Sequence, residues 1–181
     1  MKRIRYAAAL LLVAASMPAD GVRAQTLRQH GPHVHGIATV DVALDGPALQ
    51  IAVEAPGANL VGFEHPPHDA QERARLEAVL AALRAPSGWL SPAPGADCRL
   101  LDADVQPHGY DAPPADGGDA HADIDARYDY RCATPEALAY IDIRLADRYP
   151  ATRQVVVNLV LPQRQDRQVL GPGDHRVALA P

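Results

Sequence analysis

Two stretches of this 181-residue chain carry imidazoles at spacings that can close on a metal ion: His33-Val34-His35-Gly36 and, further along, Gly62-Phe63-Glu64-His65-Pro66-Pro67-His68. Side chains of an extended strand alternate with period two, so His33 and His35 face the same way. Glu64, His65 and His68 offer further ligands if the fold brings the stretches together. Zn(II) accepts imidazole nitrogen and carboxylate oxygen, and the pattern predicts a protein that binds it. Cu(II) and Ni(II) compete for the same donors. Cu(I) lacks its preferred soft ligands, because both methionines, Met1 and Met17, stand in the first residues of the chain, ahead of a cleavage site. A second, weaker grouping of His108, His121, Asp119 and Asp123 lies in an acidic stretch, and reads either as another metal site or as a solvated loop.

The elements that must position these groups follow from apolar periodicity. Residues 36–44 and the alternation Leu49, Ile51, Val53 flank the turn signal Asp45-Gly46-Pro47, which predicts a β-hairpin ending at Pro56. Its first strand starts right after the two histidines, placing them at a strand end. Asp69 can cap a helix with Glu72 three residues on, and Leu76, Val79, Leu80 and Leu83 supply the apolar stripe until Pro86 and Gly88 end it. His65 and His68 fall at its start, where the helix dipole favours the neutral imidazole that ligates metals.

Strands are also expected from Cys98 through Val105, over 124–132, over 139–145 and over 154–161, with a short helix after the cap Thr134 and a final hairpin of 168–170 with 176–179. Between the first two of these, residues 107–123 hold Pro113-Pro114 and Gly117-Gly118 among acids, the composition of a mobile loop. The fold class expected is α+β: a mainly antiparallel sheet, one substantial helix, one disulfide and this acidic loop.

Lys2, Arg3 and Arg5 precede an apolar run and the small-residue site Val22-Arg23-Ala24, the order of a cleavable signal peptide over residues 1–24. The remaining 25–181 fit a single domain. Cleavage would remove four basic residues and one acid, leaving a formal charge of −8, which disfavours nucleic acid and anionic membrane surfaces and favours cations. The run is too short to span a bilayer, so no stable membrane insertion is expected. In an exported chain the two cysteines, Cys98 and Cys132, read as a disulfide, with a thiolate metal pair as the alternative.

The run Glu54-Ala55-Pro56, Asn59-Leu60-Val61-Gly62-Phe63-Glu64-His65, preceded by His33-Val34-His35-Gly36, resembles the ZrgA-like family of periplasmic zinc-uptake accessory proteins. The likeness continues through Tyr130-Arg131-Cys132, Pro135 and Tyr149-Pro150 into the final β-rich stretch. It implies a zinc-binding envelope protein working beside an uptake system, with His33, His35 and the Glu64/His65 pair as site positions. Family members commonly carry a histidine-rich middle segment, reduced here to His108 and His121 among aspartates.

Three functions compete at this level. A carrier would capture or buffer Zn(II) and assist an envelope transporter. A zinc-dependent hydrolase would hold the ion on three ligands and use Glu64 as general base. A structural envelope module would bind no metal. The chain has no H-E-x-x-H helix, nucleophile elbow or phosphate loop, and the expectation is a carrier without enzymatic activity.

Overall fold

Strict alternation of apolar with polar residues builds the first hairpin. In the computed structural model, which describes residues 34–111 and 121–179, strands β1 (Ile37–Asp45) and β2 (Ala48–Pro56) pair antiparallel with Val40 opposite Val53, Val42 opposite Ile51 and Leu44 opposite Leu49. The signal peptide expected over 1–24 lies outside the described residues, as do His33 and Asp119.

The hairpin becomes the centre of a six-stranded sheet. Strand β5 (Asp123–Cys132) adds antiparallel to β2, β4 (Cys98–His108) adds antiparallel to β5, and β7 (Gln154–Leu161) lies parallel to β1 with β8 (Arg164–Leu170) antiparallel beyond it, giving the order β4-β5-β2-β1-β7-β8. The register carries apolar rows across the sheet. Leu159, Val42, Ile51, Tyr128 and Ala103 form one such row, and Val157, Val40, Val53, Ala126 and Val105 the next. These side chains lie on one face, which is buried, whereas Asp41, Gln50 and Arg127 sit on the other.

The buried face is covered by the long helix α2 (Ala70–Arg84) and by a small sheet of order β3-β6-β9, formed by β3 (Leu90–Pro92), β6 (Tyr140–Ile143) and β9 (Arg176–Ala178). Helix α2 buries Leu76, Val79, Leu80 and Leu83, the stripe expected from sequence. Asp69 caps it, its carboxylate accepting from the backbone N–H groups of Gln71 and Glu72 at 2.8 Å. The phenol of Tyr128 reaches across the core to donate to the carbonyl of Leu83, and its ring meets Trp89 edge-on at 5.7 Å. Burial pushes this phenol's pKa far up and that of Tyr130 up to about 12, so both rings stay neutral.

Cys98 and Cys132 face each other across β4 and β5 and are joined by a disulfide. Thiolate ligation by this pair is thereby set aside. The α+β reading therefore holds: mainly antiparallel sheet, one substantial helix, one disulfide.

Several local expectations change. The final hairpin does not form: β8 pairs with β7, while β9 belongs to the small sheet beside β6. The amide of Gln168 bridges the two instead, donating to the carbonyl of Ala178 and accepting from its N–H. Side-chain hydrogen bonding had replaced a backbone ladder there, and the alternating pattern cannot distinguish the two. Strand β4 runs on through Pro107 and His108, so the acidic loop is shorter than 107–123, and its flanks Tyr110 and Ala122 are buried. Thr134 makes no side-chain cap, and the segment it starts is a single 3-10 turn, Pro135–Ala137. The strand expected over 139–145 stops at Ile143, giving way to a one-turn helix, α3 (Leu145–Arg148).

Candidate metal centre

The end of the sheet where β1 begins and β2 stops is shaped by close backbone approaches. Gly57 opens the one-turn helix α1 (Gly57–Leu60), and its N–H donates to the carbonyl of Ala122 at 2.7 Å. A β-carbon there would collide with the hydroxyl of Tyr110 and stand 2.7 Å from the carbonyl oxygen of Phe63, so only glycine fits. Tyr110 donates that hydroxyl to the Phe63 carbonyl. Burial, together with the charges of Glu64 and Asp123, holds its pKa far above the ordinary phenol value, which keeps the proton available for this bond.

Asn59 joins this corner to the start of β1. Its side chain is buried, with 3 % of its surface exposed, and it accepts from Gly36 N–H at 2.7 Å while donating to the Ile37 carbonyl at 2.9 Å. From the other side, the backbone N–H groups of Arg153 and Gln154 both donate to the Gly36 carbonyl, and the Arg153 guanidinium donates to the carbonyl of His35. Gly36 has φ +87°, and an added β-carbon would meet that guanidinium at 2.6 Å. Residues 35–37 are thus clamped between α1 and β7.

The clamp delivers His35 to Glu64, 29 residues away in sequence, with Nε2 at 3.0 Å from Oε2. The same oxygen lies 3.7 Å from Nδ1 of His121, while Oε1 accepts from the backbone N–H of Ala58 at 3.3 Å. Glu64 is the sheltered member: its side chain is 13 % exposed, against 63 % and 64 % for the two imidazoles. Ligand atoms of a tetrahedral zinc with bonds near 2.05 Å stand about 3.3 Å apart. The two contacts to Oε2 bracket that separation, although these three donors do not all gather within 4.8 Å of one another.

A second group follows immediately. His65, His68 and Glu72 place one ligand atom each so that all lie within 4.8 Å of one another. The rings of Phe63, His65 and His68 form a stack, with centroids 5.0 and 4.0 Å apart, that runs from the core outward. Oε2 of Glu72 is 3.9 Å from His65 Nδ1 and 3.8 Å from His68 Nδ1, and it accepts from the backbone N–H of His68 at 2.8 Å. His65 Nδ1 also lies 3.0 Å from the Pro66 carbonyl, so a proton on that nitrogen leaves Nε2 to bind a metal.

The sequence description of the ZrgA family of zinc uptake proteins matches residues 32–179, from the first histidine motif to the end of the small sheet. The chain belongs to that family. No curated protein matches it at a significant level. A role connected with zinc uptake follows from ZrgA membership, and the His65/His68/Glu72 group is a place where a metal could bind.

The predicted ligands of this ZrgA protein divide between the two groups. His35 and Glu64 meet; His65 and His68 gather on Glu72 instead; His33 lies outside the described residues. Of the weaker grouping, His121 joins Glu64, whereas His108 stands 3.5 Å from Asp125 and opposite Asp123 in the strand register, and Asp119 lies outside the described residues. From sequence Glu72 reads as a helix-start residue, and its place beside the two imidazoles is a finding of the structure. Its signal was present: it is four residues after His68, one helical turn away. The disulfide fits an exported protein, and no helix among the described residues is long and apolar enough to cross a membrane.

Proposed function

We propose that this chain captures Zn(II) in the periplasm through His35, Glu64 and His121 and passes it to an envelope uptake system. The contact that carries the reading is the 3.0 Å approach of His35 to Glu64, which unites the two histidine-bearing motifs at a spacing a tetrahedral ion can use. Zinc is the cargo here. Glu64 supplies the charge that offsets the ion, His35 and His121 supply exposed nitrogens that can admit and release it, and the Asn59 clamp fixes the first of these against the carboxylate. Imidazole ligands must be unprotonated to bind, so loading couples to proton release.

A carrier is favoured over a hydrolase by the surroundings of Glu64. Its Oε1 takes a backbone N–H and its Oε2 faces two imidazoles, an arrangement suited to a ligand more than to a general base that must collect a proton from water. The decisive experiment is competition titration of untagged protein with zinc, copper and nickel against a chromogenic chelator. Tight stoichiometric zinc that disappears in a His35→Ala/His121→Ala variant supports the proposal; unchanged affinity in that variant overturns it. Ester, peptide and phosphate-ester substrates should show no zinc-dependent turnover. Cell fractionation should find the chain in the periplasm with residues 1–24 removed.

A further inference from the structure

We propose that Cys98 is the sulfur through which a dithiol or disulfide partner protein exchanges with this chain, and that the apolar groove beside it seats the partner's reactive segment. The inference is independent of zinc binding and concerns the opposite end of the sheet.

The two cysteines are unequally placed. Cys132 is 1 % exposed, while Cys98 is only half-buried and forms part of the wall of a groove of about 400 Å³. Pro86, Leu90, Pro92, Leu100 and Tyr130 also line it, and among the described residues no charged side chain does. Next to Leu100, the register shift before Asp102 takes Leu101 out of the strand's alternation and leaves it 53 % exposed. A groove of this character fits a partner whose reactive cysteine is flanked by apolar residues.

Approach to the bond is one-sided as well. A thiolate attacks a disulfide sulfur in line with the bond it breaks, so it must come from the side away from the leaving sulfur. Cys98 stands opposite Cys132 on β4, the edge strand of the six-stranded sheet, and its far side opens off that edge. Cys132 stands on β5, with β2 behind it and its N–H tied to the Pro47 carbonyl. The line to Cys98 Sγ is open and the line to Cys132 Sγ is closed.

The exchange balances in both directions. A partner thiolate bonds to Cys98 Sγ, and the bond to Cys132 breaks with its electron pair on Cys132 Sγ, which takes a proton from water. The partner's second thiolate then attacks its own sulfur in the mixed disulfide and releases Cys98 as a thiol, so the partner dithiol is oxidised and this chain is reduced by two electrons. In reverse, with the partner as disulfide, the same intermediate installs the cross-link: Cys98 attacks the partner first, and Cys132 resolves the mixed disulfide.

The test uses the oxidised protein, cross-link intact, with two short peptides, one carrying a cysteine between leucines and the other a cysteine between serines. Acid quenching, alkylation of free thiols and peptide mapping show which sulfur carries the probe at the earliest time points. Mixed disulfide should form on Cys98, leaving Cys132 as the free thiol, in excess of roughly 10-fold over the reverse. The leucine peptide should react roughly 10-fold faster than the serine peptide, the worth of burying one apolar side chain. A Ser87→Asp/Ser91→Asp variant, changed at two exposed positions of the groove wall, should erase that advantage while the serine peptide keeps its rate. Probe found mainly on Cys132, or shared evenly, overturns the assignment of Cys98. Exchange seen only in denaturant overturns it too. Equal rates for the two peptides overturn the groove as the partner's seat.

Discussion

The two ends of the six-stranded sheet are fastened by opposite means. At one end the disulfide between Cys98 and Cys132 closes β4 on β5 beside the tight β1–β2 turn, where Cys132 N–H donates to the Pro47 carbonyl. At the other end, roughly 25 Å away along the nine residues of β2, His35, Glu64 and His121 are held by hydrogen bonds from Asn59, Arg153 and Ala58. A covalent bond fixes the first end whatever is bound. The second end rests on non-covalent contacts that can shift by the few tenths of an ångström a metal requires. Stability and the proposed metal capture therefore draw on different ends of the same strands, and the two can be perturbed separately.

The largest effect should come from the disulfide. Replacing Cys98 and Cys132 by serine removes a cross-link spanning 34 residues, a loss of about 4 kcal/mol in the chain-entropy model, read by denaturant unfolding. Zinc affinity of the refolded variant should stay unchanged in the same titration. A matching loss of metal would show that the two ends are not independent.

Glu64→Gln should do the converse, lowering zinc affinity by roughly 100-fold, equivalent to about 2.7 kcal/mol, with little change in the unfolding midpoint. Asn59→Ala should affect both quantities. It strands the Gly36 N–H and the Ile37 carbonyl in a buried corner, for about 1–3 kcal/mol of stability, and loosens His35 enough to cost roughly 10-fold in zinc affinity. Intact affinity in that variant would shift the positioning role to Arg153 and β7. Asp69→Ala should cost about 1 kcal/mol through the lost helix cap, measured by thermal unfolding.

The smallest effect belongs to a pair remote from the histidine end. Two hydrogen bonds from Arg176 hold the Asp142 carboxyl below its ordinary pKa. A depressed folded-state value adds stability that is present above the unfolded pKa and lost as pH falls through the folded one, so the contribution should fade below about pH 4. Asp142→Asn should flatten that acid limb slightly, and added salt should mask the difference because the pair is exposed.

The hairpin, helix α2 and strand β7 were legible because each carries an unbroken period, of two residues for Ile51 and Val53 against Gln50 and Ala52, and of one helical turn for Leu76, Val79, Leu80 and Leu83. The cysteine pairing was legible from compartment chemistry. Partnerships between strands were not, since nothing local tells Val177 that its neighbour is Ile141 and not the strand just before it. The site divides along the same line. His35 and Glu64 stood out by type and spacing, but the arrival of His121 beside Glu64 depends on Gly57 and Ala122 meeting across the sheet end, a contact between distant segments. Glu72 is obscured because its place three residues after the cap Asp69 already accounts for a carboxylate there.

Strand β1 is an interior strand of the sheet, bounded by β2 on one side and by parallel β7 on the other. The earliest strand of the chain thus waits for one of the latest, and the Gly36 carbonyl gains its two donors only when Arg153 and Gln154 arrive. Such long-range pairing is slow to form. The corner that holds His35 is consequently complete only after the last third of the polypeptide has docked, so its assembly belongs to the end of folding.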